Sequence, residues 1–303
     1  MLDVIGITLN ILAPIFLIIF VSGVFGRIFN PDPRPLSAAI IYLFVPALVL
    51  RTLALSTVAV ADVLAIGGAM LLFTLIMIGV GYGAVRLFRI DRRLTGAFLV
   101  SLVMVNAANY GIPLNTFAFG PAGGEIATIY YVLAVIIGNN TGIFLASNGK
   151  VGMQGAVLNV IKVPVFSATI IGVLLAVFDL AIPLPIDRAL DIMGSGAIPA
   201  MLVILGVQLA RVRLDEDWRA VGIATGLRLV AAPLIITPIA LLLGLDGLPL
   251  NVTIVQTATP TAVLAAAVVL EFGDNAPFVS AVTFVSTFAS MITITILLAL
   301  LGV

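Results

Sequence analysis

Two short stretches of the chain hold the residue types best suited to binding chemistry. The first reads Asn106-Ala-Ala-Asn109-Tyr-Gly111-Ile-Pro113-Leu-Asn115, and the second Gln256-Thr257-Ala-Thr259-Pro260-Thr261. Each sets amides or hydroxyls around a proline in the middle of an otherwise apolar segment. Proline lacks an N–H and its ring clashes with the preceding turn, so a helix is expected to stop there. It can restart with proline at the first helical position. Thr259 would cap the restart at Pro260, and Gly111 would supply backbone freedom for unwinding. Helices restarting at Pro113 and Pro260 would each aim a positive end of about half a charge at one central region. Such ends favour anions. Asn106, Asn109, Gln256, Thr257 and Thr259 would add neutral donors for a carboxylate. A lone proline of this kind ordinarily marks a packed kink; two corresponding breaks wrapped in polar side chains point to a site.

The segments that must position these residues are membrane spans. The chain is 62% hydrophobic and 9% charged, with a mean hydropathy of +1.30. Soluble domains carry about 25% charged residues, so this surface has to face lipid. Stretches long enough to cross a bilayer are expected at 4–25, 36–55, 63–85, 94–118, 125–147, 155–178, 187–210, 218–243, 250–270 and 277–301. Both polar breaks then fall near mid-depth, in the fourth and ninth spans. The first span lacks the basic leader of a signal peptide and is read as retained.

Charge orients the array. Alternate connections carry Arg27, Arg34, Arg86, Arg89, Arg92, Arg93, Lys150, Arg211, Arg213 and Arg219, whereas the opposite ones carry only Arg51 and Arg188. Positive charge collects on the cytoplasmic side, which puts both termini outside a cytoplasmic membrane. The halves also echo each other. Pro14 and Pro164 lie 150 residues apart, as do Pro35 and Pro185; Pro46 and Pro199 lie 153 apart, as do Phe119-Gly120 and Phe272-Gly273. Five spans per half is an odd number, so the second repeat, from residue 151, would insert upside down relative to the first.

Several functions are excluded by residues that are missing. The chain has no His and no Cys, which removes imidazole bases, thiol nucleophiles, disulfides and His- or Cys-ligated metals. Net charge is zero, which gives nucleic acid no electrostatic footing. Asp62, Glu125, Asp191, Asp246 and Glu271 all fall near span ends, so the mid-membrane carboxylate usual in proton-coupled carriers is not in view. Sodium held by neutral oxygens and uncoupled transport both stay open, and no cofactor is expected. Arg228 lies about ten residues into the eighth span, deep enough to need a partner. That partner is either substrate carboxylate or a structural acceptor; snorkelling toward the cytoplasm is a third reading, and the favoured one for Lys162. Asn139-Asn140-Thr141 either lines the pathway or bridges helices. The candidate binding set is therefore Asn106, Asn109, Gly111, Pro113, Gln256, Thr257, Thr259, Pro260 and Arg228.

These stretches resemble the auxin efflux carrier family. The similarity lies in Asn106-x-x-Asn109-x-Gly111-x-Pro113-Leu114 with Phe119-Gly120, in Ile198-Pro199 through Leu205-Gly206 to Leu209-Ala210, and in Ala258-Thr-Pro260 through Phe272-Gly273-Asp274 to Ser286-Thr287. The resemblance implies an all-helical fold of ten spans. A scaffold (spans 1, 2, 6, 7) and a transport domain (spans 3–5, 8–10) would meet where broken spans 4 and 9 cross. It also implies elevator-type movement in a homodimer and a small organic anion as cargo, a mono- or dicarboxylate rather than auxin, because Gln256 and Thr259 depart from the plant pattern. A bile-acid/sodium-symporter relative would share the architecture. An intramembrane enzyme or receptor is disfavoured by the absent catalytic residues and soluble output domain.

Overall fold

The computed structural model describes residues 4–147, 163–212 and 216–303. Lys150, Lys162, Arg213 and the first part of the expected sixth span (155–162) lie outside the described residues. Among those described, every extended element is helical, and the sole β-type pairing is a bridge between Val105 and Thr261. In chain order the helices are α1 (Ile5–Phe29), α2 (Pro33–Ala54), α3 (Val60–Leu87), α4 (Thr95–Val103), α5 (107–119), α6 (121–146), α7 (Pro164–Val177), α8 (Leu184–Leu209), α9 (Trp218–Leu242), α10 (Gly247–Thr257), α11 (Val263–Glu271) and α12 (Ala276–Leu300).

Seven helical stretches among the described residues are long and apolar enough to cross a membrane. Large apolar side chains cover their outer faces: Leu17 is 63% exposed, Phe20 68%, Leu64 71% and Leu242 86%. Only lipid accepts such a surface. One stretch, Ala107–Ala146, spans 40 residues. As a single helix it would reach about 60 Å, twice the hydrocarbon thickness of about 30 Å. Gly120 divides it, at φ 71° and ψ −165°, a conformation open to glycine and strained for other residues. Gly273, which follows α11, has φ 72°. Both Phe-Gly pairs therefore turn the chain at a glycine of positive φ.

Four of the prolines inside helices are accommodated by widening a turn. Four π-type turns, at Thr8–Leu12, Ile40–Phe44, Ala107–Gly111 and Leu227–Ala231, each end two residues before a proline: Pro14, Pro46, Pro113 and Pro233. The carbonyl that a proline ring would strike belongs to the residue four positions earlier. Here those residues are Asn10, Tyr42, Asn109 and Leu229, all within the widened turn. The helix is wider at that point and carries on. This corrects the expectation that the chain stops before Pro113.

Small residues let backbones touch. Helices α1, α2, α7 and α8 pack on one another, and α3, α4, α6, α9, α10 and α12 pack on one another beside them. At the α1–α8 crossing, a Cβ added to Gly206 would strike the Ile19 carbonyl and sit 2.8 Å from Ser22 Cβ. Gly172 of α7 packs in the same way on the Leu50 carbonyl of α2. Dispersion and close approach, rather than hydrophobic burial, hold such contacts in lipid. Gly206→Val should lower the thermal midpoint of detergent-solubilised protein through overpacking of about 1–3 kcal/mol. Gly222→Ala, where a Cβ meets nothing within 4 Å, should leave it unchanged or raise it.

Candidate functional site

Helices α4 and α10 both stop in mid-molecule, and the interruptions lie against each other. After Val103 the backbone turns extended at Met104, and helix resumes at Ala107. After Thr257 it stays non-helical through 258–262 and resumes at Val263. The two gaps pair as antiparallel strands: the Asn106 N–H donates to the Pro260 carbonyl at 2.9 Å, and the Ala262 N–H to the Met104 carbonyl at 2.9 Å. Thr261 fastens the bridge from the side. Its hydroxyl donates to the Ser101 carbonyl at 2.7 Å, and its N–H to Ser286 Oγ at 3.2 Å.

The proline at 260 consequently plays a different part from the expected one. The returning helix begins at Val263, with Ala262 at its N-cap, rather than at Pro260. Thr259 does not cap it; its hydroxyl donates back to the Gln256 carbonyl at 2.7 Å. Helix cannot restart sooner because the Pro260 carbonyl and Ala262 N–H are engaged across the gap. Gly111 likewise does not reverse the chain, since its φ of −71° and ψ of −44° are ordinary helix. What requires glycine there is space: a Cβ would collide with Gln256 Oε1.

The four helix ends around the bridge divide by polarity. On one side, the carbonyl ends of α4 and α10 meet the Arg228 guanidinium. Its Nε donates to the Thr259 carbonyl at 3.0 Å, one terminal nitrogen to the Leu102 carbonyl at 3.3 Å, and the other to the Thr257 carbonyl. Arg228 is 0% exposed and lies 5.9 Å from the centre of the Phe73 ring.

On the other side, the starts of α5 and α11 border a cavity of about 340 Å³. Its lining includes Asn106, Asn109, Asn139, Gln208, Ser37 and Tyr131. The first helical bond of α5 runs from the Gly111 N–H to the Asn106 carbonyl. The π-type start therefore leaves the N–H groups of 107–110 ahead of any helical bond, one more than an α-turn would. Asn106 is 3% exposed, and its Nδ2 has no hydrogen-bond partner.

Of the nine candidate residues, Asn106 and Asn109 line this cavity. The other seven build the crossing. Gln256 Nε2 donates to the Ala127 carbonyl at 3.1 Å and, at 3.4 Å, to that of Ala107. The Thr257 and Tyr130 hydroxyls are 2.8 Å apart. Pro113 is buried in the first turn of α5 beyond the wide turn. Thr259, Pro260 and Arg228 are tied up as described, with Gly111 against Gln256. Asn139 lines the cavity, whereas Asn140 and Thr141 bond to carbonyls of their own helix, at 2.6 Å and 2.7 Å.

Gln208 and Ser37 were not expected to line the cavity. A lone amide near the end of apolar α8 was the available signal for Gln208, but no break or repeat marked it. Its Oε1 is buried without a partner.

A family model described as membrane transport protein matches the chain twice, over residues 7–154 and 150–298. The chain is also similar to an uncharacterized transporter of Methanothermobacter thermautotrophicus, 25% identical over 295 residues, which is 95% of this chain and 96% of that one.

A double-mutant cycle tests the packing of the crossing. Gly111→Ala should destabilise by about 1–3 kcal/mol by displacing Gln256. In a Gln256→Ala background the same change should cost clearly less, because the obstructing amide is gone. Equal costs in both backgrounds would mean that Gly111 and Gln256 are not coupled.

Proposed function

The chain belongs to the membrane transport protein family, and we propose that it is a secondary transporter for a small organic anion carrying one negative charge. That it is a multi-pass membrane transport protein and not an enzyme follows from the family and from its apolar helices. One observation supports the cargo: the starts of α5 and α11 border a single cavity that Asn106, whose Nδ2 has no hydrogen-bond partner, helps to line. Two helix starts supply about half a positive charge each, and no ionisable carboxylate or basic group lines that cavity among the described residues. The electrostatics match one carboxylate, with the remaining lining suited to an apolar or hydroxylated body. A volume of about 340 Å³ lies at the lower end of small-molecule sites.

In this reading the chain crosses the membrane ten times, as two inverted five-helix repeats. Spans 4 and 9 are the pairs α4–α5 and α10–α11. The positive φ shared by Gly120 and Gly273 supports the repeat, as does a boundary between the two family matches near residue 150. The cavity lies between α2 and α8 on one side (Ser37, Ile40, Gln208) and α5, α6 and α11 on the other. A second cavity, of about 310 Å³, lies between α2 and α8 and the far parts of α5 and α6, beside Arg51 and Glu125. Sliding α3–α6 and α9–α12 along a scaffold of α1, α2, α7 and α8 would carry the anion from one cavity to the other. That is an elevator cycle, working in a homodimer in the cytoplasmic membrane with both termini outside.

Thermal stabilisation by carboxylates tests the cargo, because a ligand favouring the folded state raises its apparent stability. Monocarboxylates should stabilise the purified protein more than dicarboxylates of equal chain length. Asn106→Ala and Asn109→Ala should each weaken the response about tenfold, as expected for one hydrogen bond to a charged group. Unaltered responses in both variants would remove this cavity from the binding path.

A further inference from the structure

We propose that Arg228 is a built-in counter-ion that replaces a coupling cation at the crossing, so that anion binding and transport do not require sodium. Interrupted helices in transporters present two kinds of end. Their N-termini face anionic cargo, while their C-terminal carbonyls and unwound backbone hold the coupling ion. Here that second place is filled by the protein. The carbonyls of Leu102, Thr257 and Thr259, at or just past the negative ends of α4 and α10, all accept from the one guanidinium. These are the neutral oxygens a sodium ion would need. Three of the five N–H donors of Arg228, one from each nitrogen, go to them, and the Phe73 ring covers the group. It has no exposure through which to meet cargo.

A second cation has no room electrostatically. At a separation of ~4 Å and an effective dielectric of about 20, repulsion from the guanidinium would weaken binding about a thousandfold. Nor is there a carboxylate to compensate, since Arg228 is the only charged side chain among the buried polar residues described. Arginine suits the task better than lysine because its planar fork reaches several carbonyls at once and keeps its proton. The helix ends are thereby neutralised permanently rather than once per transport cycle. The inference builds on the anion reading, because Arg228 acts on the cargo only through the crossing, beyond which α5 and α11 start at the cavity.

The test compares sodium with choline in two proteins. For wild type, the thermal midpoint and its rise with benzoate or lactate should be the same in either salt. Arg228→Ala should melt lower and lose the carboxylate response about tenfold or more. Sodium or methylguanidinium, each able to enter the vacated space, should restore both in part; Arg228→Lys should fall between wild type and Arg228→Ala. A wild-type carboxylate response that requires sodium would overturn the proposal. So would an Arg228→Ala protein whose melting and carboxylate response match wild type in choline. If Arg228→Ala does not fold, the wild-type comparison still decides. If no carboxylate stabilises wild type, the anion reading fails on its own, and restoration of Arg228→Ala melting by the two cations then decides the counter-ion role separately.

Discussion

An amide or carbonyl inside a bilayer has no water to turn to, and every unusual feature of this structure follows from that. Interrupting two helices in the middle of an apolar bundle frees backbone donors and acceptors that would each cost several kcal/mol if abandoned. The chain resolves this in three places. The extended residues of each gap bond to those of the other. The carbonyl ends of α4 and α10 bond to Arg228. The N–H ends of α5 and α11 are left to a cavity, where water or cargo can take them. Binding capacity is thus concentrated where the crossing leaves donors unmatched.

The polar side chains around the crossing obey the same constraint. Gln256, Thr257 and Thr261 face protein, and each reaches a carbonyl or hydroxyl of another helix. Ser290 of α12 donates to the Tyr110 hydroxyl at 2.9 Å in the same manner. In a low dielectric such bonds are strong and their loss is expensive. They make the crossing rigid, and rigid helix ends are better preorganised to hold an anion than a mobile loop would be. Asn106 belongs to both worlds: its backbone N–H is committed to Pro260, while its side-chain Nδ2 is not committed at all.

Much of this was legible in the sequence. Apolar stretches and clustered arginines mark membrane helices and their ends, because lipid tolerates one and excludes the other. The polar runs around Pro113 and Pro260 mark the crossing. What the runs could not give is the position of the gaps, which are set by pairing between residues about 156 apart rather than by local proline chemistry. Pro113 sits within a helix because a wide turn absorbs it, and Pro260 sits in extended backbone because its carbonyl is engaged across the gap. The partner of Arg228 was equally hidden. A carbonyl freed at a helix end carries no residue signature, so cargo and structural acceptor looked alike until Leu102, Thr257 and Thr259 were brought together. Gln208 reaches the cavity from a helix that has no break to announce it.

The central claim is that an anion sits at the start of α5. The chain has no cysteine, so a single Ala108→Cys substitution places one thiol among the residues lining the cavity. Its alkylation by a hydrophilic maleimide can be followed with benzoate, lactate or choline chloride alone present. Benzoate or lactate should slow labelling in a saturable manner and lose that effect when Asn106 is also replaced by alanine. Labelling at one unvarying rate, in a protein that those same carboxylates demonstrably stabilise, would contradict the claim and locate the anion elsewhere.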